Sequence, residues 1–531
     1  RDPRYPGLLI ILWLFAITAA ISTLDTAFWH FKRYQMPLIV LMFPLAAWGI
    51  TLIWQRIPQQ TVRYMVFTLA TLILMAQNAT IWLEFQRLYD VNLNNIAAQP
   101  LPMARWLAAN TPEDAIVAVH DVGMMRYVGN RHTVDMVGLT TTGAADYWRN
   151  GPGSVAEFLL STNPQPDYVA AYTTARGLNY LTETSLYGDL LVGFTAAYDP
   201  ADNVALGAEF QGIYRVDWDR LNRVNIDLPL QSSLAHLIIP DTQPIASINV
   251  ANLTSEAAYD YEWSNQAQIS GFVTETYEWP YIACTQADCL INDGGRLINE
   301  RETFHVEVES CTDLLLVSRV HPVHAGTLDV LVNGTLIDTQ WIPSIPGTWL
   351  EIPTYIDAQF CEAQMQIEVH PNITAGFYMP YQHWLLPAEP QTEPAPSLAS
   401  FQDGAIEITG MRTEIDENTL TVDIEWQQGS PPAMGDYKVF FHVYDDIDKP
   451  PIAQRDFYPG NNTLPPGNWF PGTIQDRVEV QLTGITRGNY RIAIGFYEVT
   501  TGERLLPQTL IADWEADENS RRLFVDNLEI P

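Results

Sequence analysis

The chain has 531 residues, room for three or four domains at ~100–200 residues each. Hydrophobic residues make up 47% and charged residues 17%, which argues against a disordered chain. The net charge of −34 leaves the chain as a whole without the basic footprint a nucleic-acid binder needs. That charge is uneven. The first 90 residues carry +3 and the remainder −37, so two environments are implied. Lysine occurs only at Lys32, Lys438 and Lys449. The 36 prolines, 31 glycines and 16 tryptophans point to β-rich modules with many turns, not to a helical bundle. The first residue is Arg1, not Met, and the chain reads as a C-terminal piece of something longer.

Residues 1–87 contain three apolar runs, Leu8 to Leu24, Leu38 to Trp54 and Met65 to Trp82. Each is uncharged over 17 or 18 residues, near the lower limit for a helix crossing a ~30 Å hydrocarbon core. Three transmembrane helices are expected, and a signal peptide does not come in threes. A soluble apolar bundle is the competing reading, but its uncharged helices would have to be buried all round. With three crossings, Arg1, Arg4, Arg56 and Arg63 share one side and Lys32, Arg33 and Arg87 the other. Four cations against three place the second group outside by the positive-inside rule.

Residues 88–225 read as a small α/β domain. Leu101 to Asn110 has helical spacing, TPEDAIVAVHDVG is a turn into an apolar strand, residues 155–160 form a short helix, and strands lie around Val169 and Tyr214. Residues 226–388 change to short alternating runs such as FHVEVES, GTLDVLVNG and MQIEVH, the pattern of a jelly-roll-like β-sandwich. A Pro-rich linker, residues 389–400, is expected to be extended. Residues 401–531 form a second, Ig-like or jelly-roll β-sandwich, with strands in LTVDIEW, YKVFFHVYD and YRIAIGFYEV. No short-period repeat is visible, so the two sandwiches are a loose pair and not a demonstrated duplication.

All four cysteines follow the apolar runs. Pairing Cys284 with Cys289 and Cys311 with Cys361 is the simplest of three arrangements. A zinc site is the rival, but only CTQADC has ligand-like spacing. Disulfides would put this part outside the cytoplasm, in keeping with its acidity.

The segment AFWHFKRYQMP, residues 27–37, joins the first two apolar runs. His30, Lys32, Arg33 and Tyr34 would sit at headgroup level beside a helix opening with Pro37. Arg and Lys there can hold a lipid phosphate. From physics alone the plainer reading is favoured, in which Trp29, Tyr34 and the cations anchor the helix ends. Other features carry weaker signals. His120 and Asp121 could be an acid/base pair, but neighbours on one strand point to opposite faces. His321 and His324 read as a surface turn, and Gly294–Gly295 as a sandwich turn. Asn252, Asn333, Asn372 and Asn461 begin N-x-[ST] sequons. Trp341, Trp349, Trp384, Trp426 and Trp469 suit core packing better than sugar stacking.

HFKRYQMP followed by an apolar helix resembles the late transmembrane region of GT-C class membrane glycosyltransferases, the polyprenyl-phosphate-sugar enzymes of the family 39 and aminoarabinose-transferase kind. Residues 118–139 resemble the segment after their last membrane helix, with Asp121, Gly123, Tyr127, Asp135, Gly138 and Leu139 in the matching places. The last module is similar to C-terminal β-sandwiches of bacterial members. The resemblance implies transfer of a sugar from a polyprenyl-phosphate carrier to an extracytoplasmic glycan or protein acceptor. It implies a multi-pass protein of the cytoplasmic membrane, with Lys32, Arg33 and Tyr34, and more weakly His30, as lipid-phosphate contacts. It places the catalytic carboxylate in an outer loop upstream of this sequence, so no residue here inherits that role. Asp25 follows a late helix and does not qualify. No cofactor is visible; a divalent metal is compatible with the chemistry, but no ligand set is seen. The alternative is a non-catalytic, membrane-anchored surface protein whose β-sandwiches bind glycans.

Overall fold

The computed structural model describes residues 4–24, 30–174, 181–222, 227–230, 234, 237–239, 242–266, 269, 271–284, 289–389, 395–416 and 418–530. The chain divides into two compact units. The first comprises Arg1–Thr133, Ala170–Arg176 and Leu190–Ile213; the second comprises Val134–Val169, Gly177–Asp189 and Tyr214–Pro531.

The first unit begins with three apolar helices, α1 (Arg4–Ser22), α2 (Met36–Arg56) and α3 (Gln60–Ala98). Two of them, α2 and α3, are long and apolar enough to cross a membrane. The first, apolar over Leu8–Ser22, falls short of that length. Of the three spans expected, two helices qualify by length and composition among the described residues. Large apolar side chains on these helices, such as Leu12, Phe43 and Leu69, are exposed. An α-helix rises ~1.5 Å per residue, so the 39 residues of α3 reach ~58 Å, almost twice the hydrocarbon thickness.

The polar end of α3 is not solvated on all sides. Asn92 donates to the Asp202 carbonyl at 2.8 Å and accepts from the Val204 amide at 2.8 Å. Gln99 donates to the Glu209 carbonyl at 2.6 Å. Helix α4 (Pro100–Asn110) follows, its Met103, Ala104 and Leu107 fully buried. A five-stranded sheet, mostly in this unit, has the order β2-β1-β3-β5-β4. Its strands are β1 (Ile116–Val119), β2 (His132–Asp135), β3 (Tyr168–Tyr172), β4 (Asp189–Thr195) and β5 (Phe210–Arg215).

The second unit holds the two sandwiches. In the first, a five-stranded sheet has the order β13 (Thr335–Ile342), β12 (Gly326–Val332), β15 (Gln364–Asn372), β10 (Arg301–Glu307), β7 (Glu262–Ser264). It faces a four-stranded sheet, β14 (Leu350–Ile356), β11 (Leu314–Val320), β16 (Pro380–Pro387), β6 (Ala246–Asn249). A separate hairpin pairs β8 (Thr274–Pro280) with β9 (Leu290–Arg296). Alternation decides the inner face: Leu328, Val330 and Val332 on β12 and Met365, Ile367 and Val369 on β15 enter one core.

Strand β11 is buried at every position. Leu314 and Leu316 enter the first sandwich's core, while Leu315 and Val317 join Trp384 and Leu386 in the cluster that forms the second sandwich's core. That accounts for the unbroken apolar run LLLV, Leu314 to Val317: a strand covered on both faces gains from apolar residues in both phases. The two sandwiches thus share continuous apolar packing. The second sandwich pairs β22 (Thr473–Gln481), β19 (Thr419–Gln428), β18 (Ile406–Asp416), β17 (Ala399–Phe401) and β24 (Pro507–Thr509) against β21 (Ala453–Phe457), β20 (Tyr437–Tyr444), β23 (Gly488–Glu498), β26 (Arg522–Ile530) and β25 (Glu515–Asp517). Strand β17 begins inside the stretch expected to be linker, because Ala399 and Phe401 are core residues. Disulfides join Cys284 to Cys289 and Cys311 to Cys361, the pairing their spacing favoured over zinc.

Candidate functional site

The basic segment between α1 and α2 forms a 3₁₀ turn, His30–Gln35. Phe31 on this turn lies 6.1 Å from the Phe85 ring and 6.3 Å from Tyr89, centroid to centroid, which places the turn beside the point where α3 turns polar. Arg33 is exposed; its Nη2 donates to the Tyr34 hydroxyl at 3.0 Å, and its guanidinium sits 5.0 Å from the Tyr34 ring centroid. The side chains of His30 and Lys32 lie outside the described residues, as does Asp25. Arg87 is on the same level but committed, forming a fork with Asp202 at 2.6 and 2.8 Å and a second contact with Glu84. At the other end of α2, Arg63 donates to the Ile57 carbonyl and lies over Trp54. So Arg33 and Arg87 share one end of the helices, and Arg56 and Arg63 the other.

His120 and Asp121 do not point apart. Strand β1 ends at Val119, so the two-residue alternation stops before them. His120 Nδ1 lies 3.0 Å from Asp121 Oδ1. The other oxygen accepts from the Tyr172 hydroxyl at 2.6 Å and from Gln211 Nε2 at 2.7 Å. Burial works to raise the Asp121 carboxyl pKa, but the bonds from His120, Tyr172 and Gln211 outweigh it and hold the group below its usual value. Tyr172 is pushed up by burial and by the adjacent Asp121 charge. The cluster ties the end of β1 to β3 and β5. Sequence spacing could not disclose it, since Tyr172 and Gln211 are 51 and 90 residues away.

The other motif positions are turn chemistry. Asp135 is fully buried; Oδ1 accepts from the Val137 and Gly138 amides and Oδ2 from Thr140. Gly138 has φ +84°, and a side chain there would collide with Ala145. Gly123 faces open space, while Tyr127 and Leu139 are 88% and 78% exposed.

Buried charge concentrates in the first sandwich. Arg319, wholly buried on β11, donates to Asp293 at 3.1 Å and to Glu351 at 3.1 Å, with its guanidinium 4.8 Å from the Trp384 ring centroid. Helix α7 (Pro152–Ser161) inserts Glu157, which accepts from Asn249 at 2.6 Å and from the Gly294 amide at 3.0 Å. Burial, then the nearby Asp293 charge, raises Glu157 well above the usual carboxylate range. Burial pushes Asp293 up to about 6 against the pull of Arg319. Gly294 and Gly295 thus lie in strand β9, not in a turn. A Cβ on Gly294 would meet the Gly153 carbonyl and one on Gly153 would meet the Glu275 carbonyl, so both positions must be bare for α7 to dock. His321 is likewise buried, against Tyr277 and Trp349, not at a surface turn. Burial, with the His324 charge second, lowers its pKa to about 4, so it is neutral at pH 7. Trp349, Trp384, Trp426 and Trp469 are core residues, and Trp341 is half-buried. Among the described residues no group of three His, Cys, Asp or Glu side chains could hold a metal ion.

Among the described residues, a cleft edged by a tyrosine opens on each sandwich. In the first, a cleft of about 410 Å³ is lined by Tyr259, His305, Glu307 and Gln364. In the second, a cleft of about 470 Å³ is lined by Tyr437, Glu503, Arg504 and Arg521, among others. Both fall within the ~300–1,000 Å³ typical of small-molecule sites.

Two apolar helices of membrane-spanning length joined to a disulfide-bonded, β-rich region fit a membrane-anchored protein with an extracytoplasmic part. A family described as a domain of unknown function (DUF8728) matches residues 91–223. No curated protein matches the chain. Among solved structures, a family 35 carbohydrate binding module from an environmental isolate is similar at 15% identity, with a TM-score of 0.19 over 28% of this chain and 98% of the module. A Bacteroides uniformis β-glucuronidase is similar at 12% identity and a TM-score of 0.15, over 40% of this chain and 26% of the enzyme. A Podospora anserina GH26-CBM35 β-(1,4)-mannanase is similar at 13% identity and a TM-score of 0.16, over 25% of this chain and 28% of the enzyme.

Proposed function

We propose that this chain is a membrane-anchored surface protein whose β-sandwiches bind glycans. One observation carries the reading: each sandwich keeps a tyrosine-edged cleft with charged and polar lining open at its surface, while Arg319, Asp293 and Glu351 are paired inside the first. A tyrosine face beside fixed planar polar groups is what a sugar ring needs, apolar C–H on one side and hydroxyls round the edge. The helices anchor the chain, and the disulfides suit an oxidising compartment. Cosedimentation of the detergent-solubilised chain with insoluble neutral polysaccharides tests this. We expect retention above that of serum albumin; retention no greater than albumin's on every polysaccharide sinks the proposal.

The Arg33–Tyr34 pair favours a second reading, in which the chain is the C-terminal portion of a GT-C type glycosyltransferase. An exposed guanidinium braced by a tyrosine at the membrane-exit level suits a lipid phosphate, with Lys32 and His30 on the same turn. In that reading the base is a carboxylate upstream of this sequence, and the cationic turn stabilises charge on the departing polyprenyl phosphate. The partners are the membrane lipid, the polyprenyl-phosphate sugar and an extracytoplasmic acceptor. The reading includes a third span and a multi-pass topology in the cytoplasmic membrane. Sugar transfer by the full-length protein, compared with Arg33→Ala, tests it; absence of transfer in the wild type removes it.

A further inference from the structure

The cleft of the second sandwich has a composition that selects among sugars. Its rim is made by three separate turns: the β17–β18 turn with Gln402 and Asp403, the loop after β23, and the β25–β26 turn with Arg521. Gln402, Asp403 and Arg521 have φ of 53°, 55° and 50°. They are three of the ten non-glycine residues with positive φ among those described, so backbone strain concentrates at this rim.

The charged groups are of both signs and held in place. Arg521 Nη1 donates to Glu503 at 2.8 Å. Arg504 Nη1 donates to the Ser520 carbonyl at 3.2 Å, and its guanidinium lies 4.3 Å from the Phe440 ring centroid. Glu498 caps its own loop by accepting from the Thr500 and Thr501 amides; the Thr501 hydroxyl first, and then these amides, hold its pKa down to about 2. Three carboxylates, on Asp403, Glu498 and Glu503, face two guanidiniums, a net −1 on a chain of −34. A polyanion is repelled by that field. Leu505, Leu506 and the Tyr437 ring supply apolar lining, and the Tyr437 hydroxyl has no hydrogen-bond partner among the described residues.

Donors and acceptors of both kinds beside an apolar face match a ligand whose every hydroxyl both gives and takes a hydrogen bond and whose ring has an apolar side. We propose that this cleft binds a neutral pyranose unit of a glycan; the assignment rests on the glycan-binding reading above and narrows it to a site and a ligand class. The test is titration calorimetry of the full chain in detergent with mannotriose, cellotriose and galactotriose, with trigalacturonate as the anionic control. At least one neutral trisaccharide should bind. Tyr437→Ala and Arg521→Ala should each weaken it tenfold or more, and trigalacturonate should bind at least tenfold more weakly than the best neutral probe. Should Tyr437→Ala lose its fold, Arg521→Ala and Gln402→Ala, both on turns, carry the comparison. Neutral binding unchanged by these substitutions would remove the cleft and leave glycan binding standing. Preference for trigalacturonate would overturn the ligand class. No binding of any trisaccharide, together with retention on polysaccharide, would overturn the cleft alone; failure of both would overturn the whole reading.

Discussion

Arg319 is the charge on which the first sandwich most depends, and Arg319→Met tests that dependence. Methionine keeps much of the volume against Trp384 but leaves Asp293 and Glu351 buried without a cation. Removing one partner of a buried ion pair costs about 3–5 kcal/mol, mostly for the charge left behind. At ~2–4 °C per kcal/mol for a domain of this size, the melting temperature should fall by roughly 6–20 °C. Urea denaturation of the detergent-solubilised chain, followed by tryptophan fluorescence, reads the change directly, since Trp349 and Trp384 lie in this sandwich. Two further outcomes belong to the same argument. The defect should shrink at pH 5, where the orphaned carboxylates take up protons. Combining Arg319→Met with Asp293→Asn and Glu351→Gln should recover most of the loss, because no buried charge then lacks a partner. A variant within 1 kcal/mol of wild type at both pH 5 and pH 8 would refute the reasoning.

Asp293, Asp338 and Asp476 are each pushed up to about 6, chiefly by burial. Their folded pKa lies above the unfolded value, so their contribution is whole below pH ~4 and is lost as pH rises through ~6, by roughly 3 kcal/mol or less apiece. The urea midpoint should therefore drop between pH 5 and pH 8; a rise would contradict the assignment. Replacing both Cys311 and Cys361 by serine opens a link spanning 50 residues, and the chain-entropy relation gives a loss of about 4 kcal/mol, visible in the same unfolding curves. Asn92→Ala strips partners from the Asp202 carbonyl and the Val204 amide. That should cost about 1–3 kcal/mol locally, and hydrogen exchange at Val204 should accelerate; unchanged protection would mean α3 does not hold this loop.

Local periodicity decided much of the architecture. The apolar runs specify helices because nothing charged interrupts 17 or 18 residues, and alternation in VEVQL or MQIEVH specifies which strand face is inner. Cysteine spacing was enough to anticipate both disulfides. The membrane-exit turn could be located from HFKRYQMP, but Phe31 against Phe85 and Tyr89 is a pairing of residues more than fifty positions apart. Only the folded chain settled the fate of polar and small residues. Whether His120 meets Asp121 depends on where β1 stops, and what holds Asp121 comes from β3 and β5. Gly294 reads as a turn until α7 is seen to dock against it, and the charges on Glu157, Asp293 and Arg319 look solvent-facing until a second sheet covers them. The reason is physical: apolar burial is signalled by each residue's own hydrophobicity, whereas a buried polar group is tolerable only through partners that tertiary contact brings from elsewhere. The cleft between the β17–β18, β23–β24 and β25–β26 loops is of the second kind, assembled from residues over a hundred positions apart.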